Sequence, residues 1–385
     1  MRVLCAPDSF KGSLTAAQAA RAMQRGVAAV DPDIEVDLCP IADGGEGTVD
    51  TLLAAVDGER RVSTVTGPRG KPVEAAWGVI NDPITSVTAI IELASAAGLT
   101  LLDPAERDPT KTTTYGVGEL IRIALDAGVD SVLVGIGGSA THDGAAGAAQ
   151  ALGVRFFDRE GELITTPMTG GMLERVGRVD LSQRDARLKR TTLNLACDVT
   201  NPLIGPDGAA FVYSPQKGAT PEQVRVLDEG MRHFIGALTT ENHGATAVLD
   251  LPGAGAAGGF GGGAVAMLRG QLQRGIERIL DVVRFSDRVR QADLVLTGEG
   301  RIDGQSASGK AVAGVVGRCK AAGVPVWALA GCEGDDATKL LDAGLAGYRT
   351  IAQGLDVNEA MRRAAELLER AAAELMRERM TELRT

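Results

Sequence analysis

Both ends of this 385-residue chain alternate strand-like and helix-like segments, and that alternation is the tightest constraint the sequence places on its fold. RVLCA (2–6) gives way to a helical pattern over 15–29, then EVDLC (35–39) and a second helical pattern near 45–55. From about 286 the rhythm returns: ADLVLTG, a helix over 309–322, PVWALAG (325–331), a helix near 336–343, GYRTI and a long helix over 357–380. Apolar strands joined through helices build a parallel sheet with crossover helices on its faces. The middle of the chain has a different texture. VSTVTG, PVEAAWGVI and SVTAIIEL are separated by the turn signals Gly67-Pro68, Arg69-Gly70 and Asn81-Asp82-Pro83, the pattern of hairpins in an antiparallel or mixed sheet. A helix over 115–128, a strand at 131–136, a glycine-rich helix to about 153, a polar stretch over 158–190, strand TTLNLACDV and a helix over 221–238 follow.

The fold class read from this pattern is α/β with two domains. Residues 1–65 and 285–385 form a discontinuous Rossmann-like parallel-sheet domain, a mixed-sheet α/β domain is inserted at 66–284, and the active site is expected in the cleft between them. With 7 Phe, 3 Tyr and 2 Trp the core must be aliphatic, and platforms for stacking nucleic-acid bases are lacking. A formal charge of −10 opposes long-range attraction to nucleic acid or an anionic membrane, but leaves room for a small anionic substrate held by local cations. The five cysteines show no CxxC spacing and read as reduced thiols, with Cys5, Cys39 and Cys197 in or beside apolar runs. Three histidines without metal-ligand spacing give no zinc motif. The chain opens directly on a strand, without a charged-then-apolar leader, and no apolar run reaches membrane-spanning length, so a cytoplasmic protein is expected. Homo-oligomer formation is compatible with the sequence and not specified by it.

Ligands of α/β proteins gather where strands end, and the polar residues of this chain cluster at those places. The first strand runs into Pro7-Asp8-Ser9-Phe10-Lys11-Gly12-Ser13; helix capping by Ser13 or Thr15 accounts for the hydroxyls and leaves Asp8 and Lys11 unassigned. The second runs into ADGGEGT (42–48), with Asp43 and Glu46 among glycines that could equally make an Asp-Gly turn. GIGGSATHDG (135–144) resembles a phosphate cradle, with Ser139, Thr141 and Asp143 as donors, caps or metal ligands. CDVTNPLIG (197–205) puts Asp198 and Asn201 after an apolar strand, where a carboxylate suits a base or a metal ligand. ADLVLTGEGRIDGQSASGK (292–310) passes from strand through a glycine turn to a helix start with Lys310. Residues 304–311 read G-x-x-x-x-G-K-A, lacking the magnesium-binding hydroxyl of a P-loop, and polar residues separate Gly304 from the strand, so a phosphate or carboxylate site is the better reading.

Two patterns point elsewhere and are set aside. G-x-G-x-x-G at 253–258 is the dinucleotide fingerprint, but the next carboxylate, Glu277, lies in QLQRGIERIL, which is no strand; a glycine-rich connection is the safer assignment. His142 beside Asp143 hints at a hydrolase triad, but no G-x-S-x-G elbow accompanies it.

PDSFKGS (7–13), ADGGEGT (42–48), GGSATHDG (137–144), CDVTNPL (197–203), GAGAAGGFG (253–261) and TGEGRIDGQSASGK (297–310) together resemble, in order and over essentially the whole chain, the glycerate kinase family of the bacterial glycerate 2-kinase type. His142 departs from the family, which more often carries Asn there. The resemblance implies ATP-dependent, magnesium-requiring phosphorylation of D-glycerate at its 2-hydroxyl. It makes Lys11 a cation for the transferring phosphoryl group or the glycerate carboxylate, Asp198 the base, and Asp43 a ligand of magnesium or substrate. Gly137, Gly138, Ser139, Thr141 and Lys310 are then expected at nucleotide phosphates, and Asp8, Ser9, Glu46, Asn201, Glu299 and Arg301 at the substrate. Acidic residues, a few cations and glycine turns at strand ends independently suit phosphoryl transfer, which is chiefly positioning and charge neutralisation.

Overall fold

A computed structural model describes residues 1–42, 44–45, 47–82, 84, 86–239, 245–304, 306 and 311–382. The chain forms two compact units: Met1–Asp43 with Asp50–Asp57 and Ile276–Thr385, and Gly44–Val49 with Gly58–Gly275.

The first unit is built on a five-stranded sheet in the order Gly347–Thr350, Val326–Ala330, Leu294–Gly298, Arg2–Pro7, Glu35–Leu38, every pair parallel. Numbered by appearance in the unit, the order is 2-1-3-4-5, and it reverses between Arg2–Pro7 and Leu294–Gly298. Those two central strands are apolar without alternation, as strands covered on both faces are, and Val3 to Ala6 and Val295 to Leu296 are fully buried. Helix Ala16–Ala28 begins at a capping box: the Thr15 hydroxyl accepts from Gln18 N at 3.2 Å, and the Gln18 side chain accepts from Thr15 N at 2.9 Å. Its Ala19, Ala22, Met23 and Val27 share a core with Leu367, Leu368, Leu375 and Met376 of helix Ala364–Glu382. The single C-terminal helix expected over 357–380 is instead two, Val357–Arg362 and Ala364–Glu382, because Arg363 leaves helical geometry at φ −102°, ψ 9°.

The second unit holds a six-stranded mixed sheet in the order Gln271–Gln273, Thr192–Ala196, Ser131–Gly135, Ser86–Glu92, Pro72–Asp82, Gly58–Thr66. The first four strands are parallel, and the last two are added as antiparallel hairpins. Gly58–Thr66 pairs with Pro72–Asp82 along its whole length, so 58–65 fall in this unit and the expected boundary at 65 cuts through a strand. At the other end Ile276 onward belongs to the first unit, earlier than the expected 285. The polar stretch 158–190 contributes Val176–Asp180, which pairs antiparallel with Arg155–Asp158 at its start.

The glycines of 253–263 serve close packing. Helix Ala256–Leu268 carries Ala257, Gly258 and Gly259 at φ 54°, 68° and 83°, and a Cβ on Gly258 would lie 2.1 Å from Thr141 O. No strand opens this segment, and Glu277 sits in helix Gly275–Val282, as expected of a connection and not of a dinucleotide fold. All five cysteines are free thiols; Cys5, Cys39 and Cys319 are buried, Cys197 is half-buried and Cys332 is exposed. Among the described residues no helix is long and apolar enough to cross a membrane.

Two helical glycines test whether contact or propensity governs here. Ala is favoured over Gly in helices by about 1 kcal/mol, but at Gly26 a Cβ would lie 2.2 Å from Glu369 O and 2.7 Å from Ala372 Cβ. Overpacking of that kind costs roughly 1–3 kcal/mol, so Gly26→Ala should lower Tm. Gly236, in helix Pro221–Thr239, has nothing within 4 Å of its Cβ position, so Gly236→Ala should raise Tm. Thermal melts of both variants beside the parent check the pair of signs.

Candidate active site

The reversal of strand order in the first unit predicts a crevice at the carboxyl ends of Arg2–Pro7 and Leu294–Gly298. A cavity of about 500 Å³ lies there. One side is the turn after the first strand, Asp8, Ser9, Phe10, Lys11 and Ser13; the next is Glu299, Gly300, Arg301 and Asp303. Gly331 and Cys332 follow strand Val326–Ala330, and Ile351, Ala352, Leu355, Val357, Ala360, Met361 and Ala364 close the far wall.

Backbone bonds lace these turns together. Asp8 N donates to Gly298 O at 2.8 Å, and Gly331 N and Cys332 N donate to Glu299 O and Gly300 O, each at 3.1 Å. Phe10 is 2% exposed and anchors the first turn in the core, which leaves Lys11 exposed at its tip. Asp8 Oδ1 accepts from Ser9 N at 2.6 Å. Arg301 is paired loosely with Asp303, Nε to Oδ2 at 3.7 Å. Of the residues expected at the substrate or in catalysis, Asp8, Ser9, Lys11, Glu299 and Arg301 therefore share one cavity. Two cations and three carboxylates, Asp303 included, line that space and suit anionic oxygens and their proton or metal partners. Lys310 lies outside the described residues.

In the second unit, Gly44 and Gly45 touch the turn that leaves the carboxyl end of strand Ser131–Gly135. A Cβ on Gly135 would sit 2.3 Å from Gly44 O, and one on Gly137 3.0 Å from Gly45 Cα. Gly44 itself lies at φ +85° with Ala196 Cβ 3.0 Å away from its own Cβ position. Glu92, at the end of its strand, accepts from Gly47 N at 3.1 Å and Val49 N at 2.7 Å. A carboxylate there suits the N-terminus of helix Thr48–Ala55. Sequence reasoning passed over Glu92, although its place after an apolar strand is the same signal that singled out Asp198. Asp43 and Glu46 lie outside the described residues.

The loop after Ser131–Gly135 is open only at Gly137 and Gly138, which are exposed. Ser139 is 6% exposed, and its hydroxyl accepts from Lys217 Nζ at 2.7 Å; the same ammonium donates to Thr141 O at 2.7 Å. Lys217 is itself buried, and that burial pulls its pKa down to about 7 against the opposing charge of Asp143. Asp143 accepts from Thr114 N at 2.7 Å, Thr114 Oγ1 at 2.8 Å and Gly147 N at 3.2 Å, while its burial pushes its pKa up to about 6. His142 is fully buried beside Ser214 Oγ at 3.3 Å, and desolvation, then Lys217, lowers its pKa to about 3. Thr141 is likewise fully buried, so its hydroxyl is sealed from any ligand that binds at the surface. Residues 139–143 are thus mostly a buried polar core under the glycine turn. Lys217 carries no sequence signal, since SPQKGA reads as an ordinary surface turn.

Asp198 is half-buried, with Oδ1 accepting from Gly275 N at 3.0 Å. Asn201 donates to Asp207 O at 2.9 Å and accepts from Tyr213 Oη at 2.5 Å, so both ends of its amide hold the loop. Among the described residues no group of three or more His, Cys, Asp or Glu comes together to hold a metal ion. Magnesium commonly takes only one or two carboxylates, with phosphate oxygens and water completing its shell.

The chain is similar to known proteins over nearly its full length. Residues 3–380 match the model of the glycerate kinase family. A glycerate kinase from Halalkalibacterium halodurans is 46% identical over 371 residues, 96% of each chain. The glycerate 2-kinase of Escherichia coli K12 is 41% identical, covering 97% of this chain and 96% of its own. The crystal structure of a Salmonella typhimurium LT2 protein, solved as a candidate glycerate kinase 2, superposes with a TM-score of 0.89 at 40% identity and full coverage of both chains.

The buried histidine makes acid stability testable. The folded-state pKa of His142, about 3, lies below the unfolded value near 6.5, so below pH 6.5 the unfolded chain takes up a proton that the folded chain refuses. Stability is therefore lost as pH falls from 6.5 towards 3. Asp143, raised to about 6, contributes the opposite slope at roughly pH 4–6. Parent and His142→Asn both retain Asp143 and Lys217, so their difference isolates the imidazole. Urea unfolding at pH 7 and pH 4.5 should show the parent losing more stability than His142→Asn; equal losses would mean that the ring is not held neutral.

Proposed function

This chain belongs to the glycerate kinase family and is a kinase, and from that premise we propose that it transfers the γ-phosphoryl group of ATP to the 2-hydroxyl of D-glycerate, giving 2-phosphoglycerate. The observation that carries the reading is the cavity of the first unit, where residues from two family-like segments, Asp8, Ser9 and Lys11 with Glu299 and Arg301, line one space.

Phosphoryl transfer asks the protein to hold an acceptor oxygen in line with phosphorus and to neutralise charge as it spreads. In the proposed arrangement Lys11, on an exposed turn whose capping is done by other residues, brings an ammonium to the equatorial phosphoryl oxygens. Arg301 presents a planar fork to the carboxylate or phosphate, with Asp8, Ser9 and Glu299 fixing hydroxyl groups by hydrogen bonds. Gly137 and Gly138 offer exposed backbone N–H groups to phosphate oxygens. Asp198 takes the proton of the reacting hydroxyl as the O–P bond forms. Asp8 and Glu299 would supply the hard oxygen donors that magnesium prefers, the role the family resemblance also gives Asp43. Bound magnesium would add neutralisation of the triphosphate.

Release of ADP that depends on both D-glycerate and magnesium, with the product isomer identified by phosphorus NMR, tests the reading. Turnover with chelator in excess, or 3-phosphoglycerate as the product, would overturn the corresponding part. Asp198→Asn preserves an oxygen able to accept from Gly275 N while removing the base, so kcat should fall by roughly 10²–10⁴ with Tm unchanged. Lys11→Met should lower kcat/KM through lost charge neutralisation. A parent-like kcat in Asp198→Asn would remove that carboxylate from the chemistry.

A further inference from the structure

We infer that the apolar half of the first unit's cavity receives the nucleoside of the phosphoryl donor, the base lying against residues 351–361 and the phosphates running towards Lys11 and Arg301. This rests on the kinase reading above and extends it to a part of the cavity that reading leaves unused.

The first argument is size. At about 500 Å³ the cavity is in the range that holds a drug-sized ligand. A three-carbon hydroxy acid would leave most of it filled with water. The second is polarity. The charged groups all lie on the turns that follow the strands, whereas the facing wall of Ile351, Leu355, Val357 and Met361 offers no side-chain donor or acceptor. Every carbon of glycerate bears oxygen, so the acid has nothing to place against such a wall. A purine has two flat faces of low polarity and a triphosphate at its other end, which is the gradient the cavity shows.

The third argument is the condition of the wall itself. Helix Val357–Arg362 buries none of its residues, and Val357 and Met361 are 73% and 37% exposed. The helix is nevertheless firmly started, since Asp356 Oδ1 accepts from Asn358 N at 2.9 Å and Glu359 N at 3.2 Å. Met361 reaches the opposite turn, its Cε 2.5 Å from where a Cβ on Gly12 would sit. A capped helix that holds large apolar side chains over a cavity, and not in the core, is placed to cover an apolar ligand.

Cys332 lines the same cavity and is the exposed cysteine of the five, so it reports occupancy directly. Bromobimane labelling of the full chain, with Cys332→Ser identifying the signal from that thiol, would be timed alone and with adenosine, ADP or D-glycerate. A ligand at about ten times its Kd fills about nine-tenths of its sites and should slow labelling roughly tenfold. ADP and adenosine should each do so, whether or not D-glycerate, held at the neighbouring Arg301, shields Cys332 as well. Protection by D-glycerate without protection by ADP would overturn the assignment, as would absence of any protection in an enzyme that releases ADP. If ADP protects but ADP release from ATP and glycerate fails, the cavity assignment stands and the proposed reaction falls. Met361→Glu supplies a second measurement: KM for ATP should rise by about tenfold, a loss of about 1.4 kcal/mol of binding, with KM for D-glycerate unmoved. Equal rises in both, or a rise for D-glycerate alone, would also overturn it.

Discussion

One strand pairing holds the candidate site together. Val3 to Pro7 lie parallel to Leu294 to Gly298 in unbroken register, with Pro7 opposite Gly298. The Thr297 hydroxyl reinforces the pairing by donating to Ala6 O at 2.9 Å. Because both strands end at the same level, the turn that carries Asp8, Ser9 and Lys11 and the turn that carries Glu299 and Arg301 leave the sheet side by side. A backbone contact completes the arrangement: a Cβ on Gly300 would lie 3.3 Å from Lys11 N. Sliding the register by one residue would turn every side chain of the strand to the other face and offset the two turns. Continuous burial of both strands makes that slip costly, so the same apolar residues that build the core also set the geometry above it.

The second unit solves a related problem differently. Its loops meet through glycines, and beneath one of them sits a buried group of Lys217, Ser139, Thr141, His142 and Asp143. A buried ammonium is expensive unless it is hydrogen-bonded and near opposite charge. Lys217 has both, through Ser139 Oγ, Thr141 O and Asp143. The turn formed by Gly137 and Gly138 thus stands on a polar underpinning that fixes its backbone while its surface stays bare.

Much of this was legible from residue order. The return of apolar strands after 286 gave the parallel sheet, and the turn signals between 67 and 83 gave the hairpins, because both depend on local periodicity. Boundaries were less visible. Gly58–Thr66 looks like any short strand, and only its partner Pro72–Asp82 decides which sheet takes it. The C-terminal break at Arg363 was hidden too, since Ala and Leu continue at helical spacing on either side of it. Among the expected site residues, Asp8, Lys11, Glu299 and Arg301, picked by the strand-end rule, line one cavity. The rule misjudged Thr141, whose hydroxyl looks available in sequence and is fully buried in the fold. It could not find Lys217, because a lysine in a turn is normally solvated and only tertiary packing buries it.

The interrupted course of the first unit has a consequence for synthesis. Its central strand pair joins segments about 290 residues apart, so Arg2–Pro7 leaves the ribosome with only the short Glu35–Leu38 as a possible neighbour. At roughly 5–20 residues per second, RVLCAP waits about 15–60 s for the strand that will cover its other edge. Over that interval residues 58–275, nearly the whole of the second unit, become available to fold. The nascent chain therefore carries an unpaired apolar edge through most of translation, the condition under which holding chaperones and slow codons matter most.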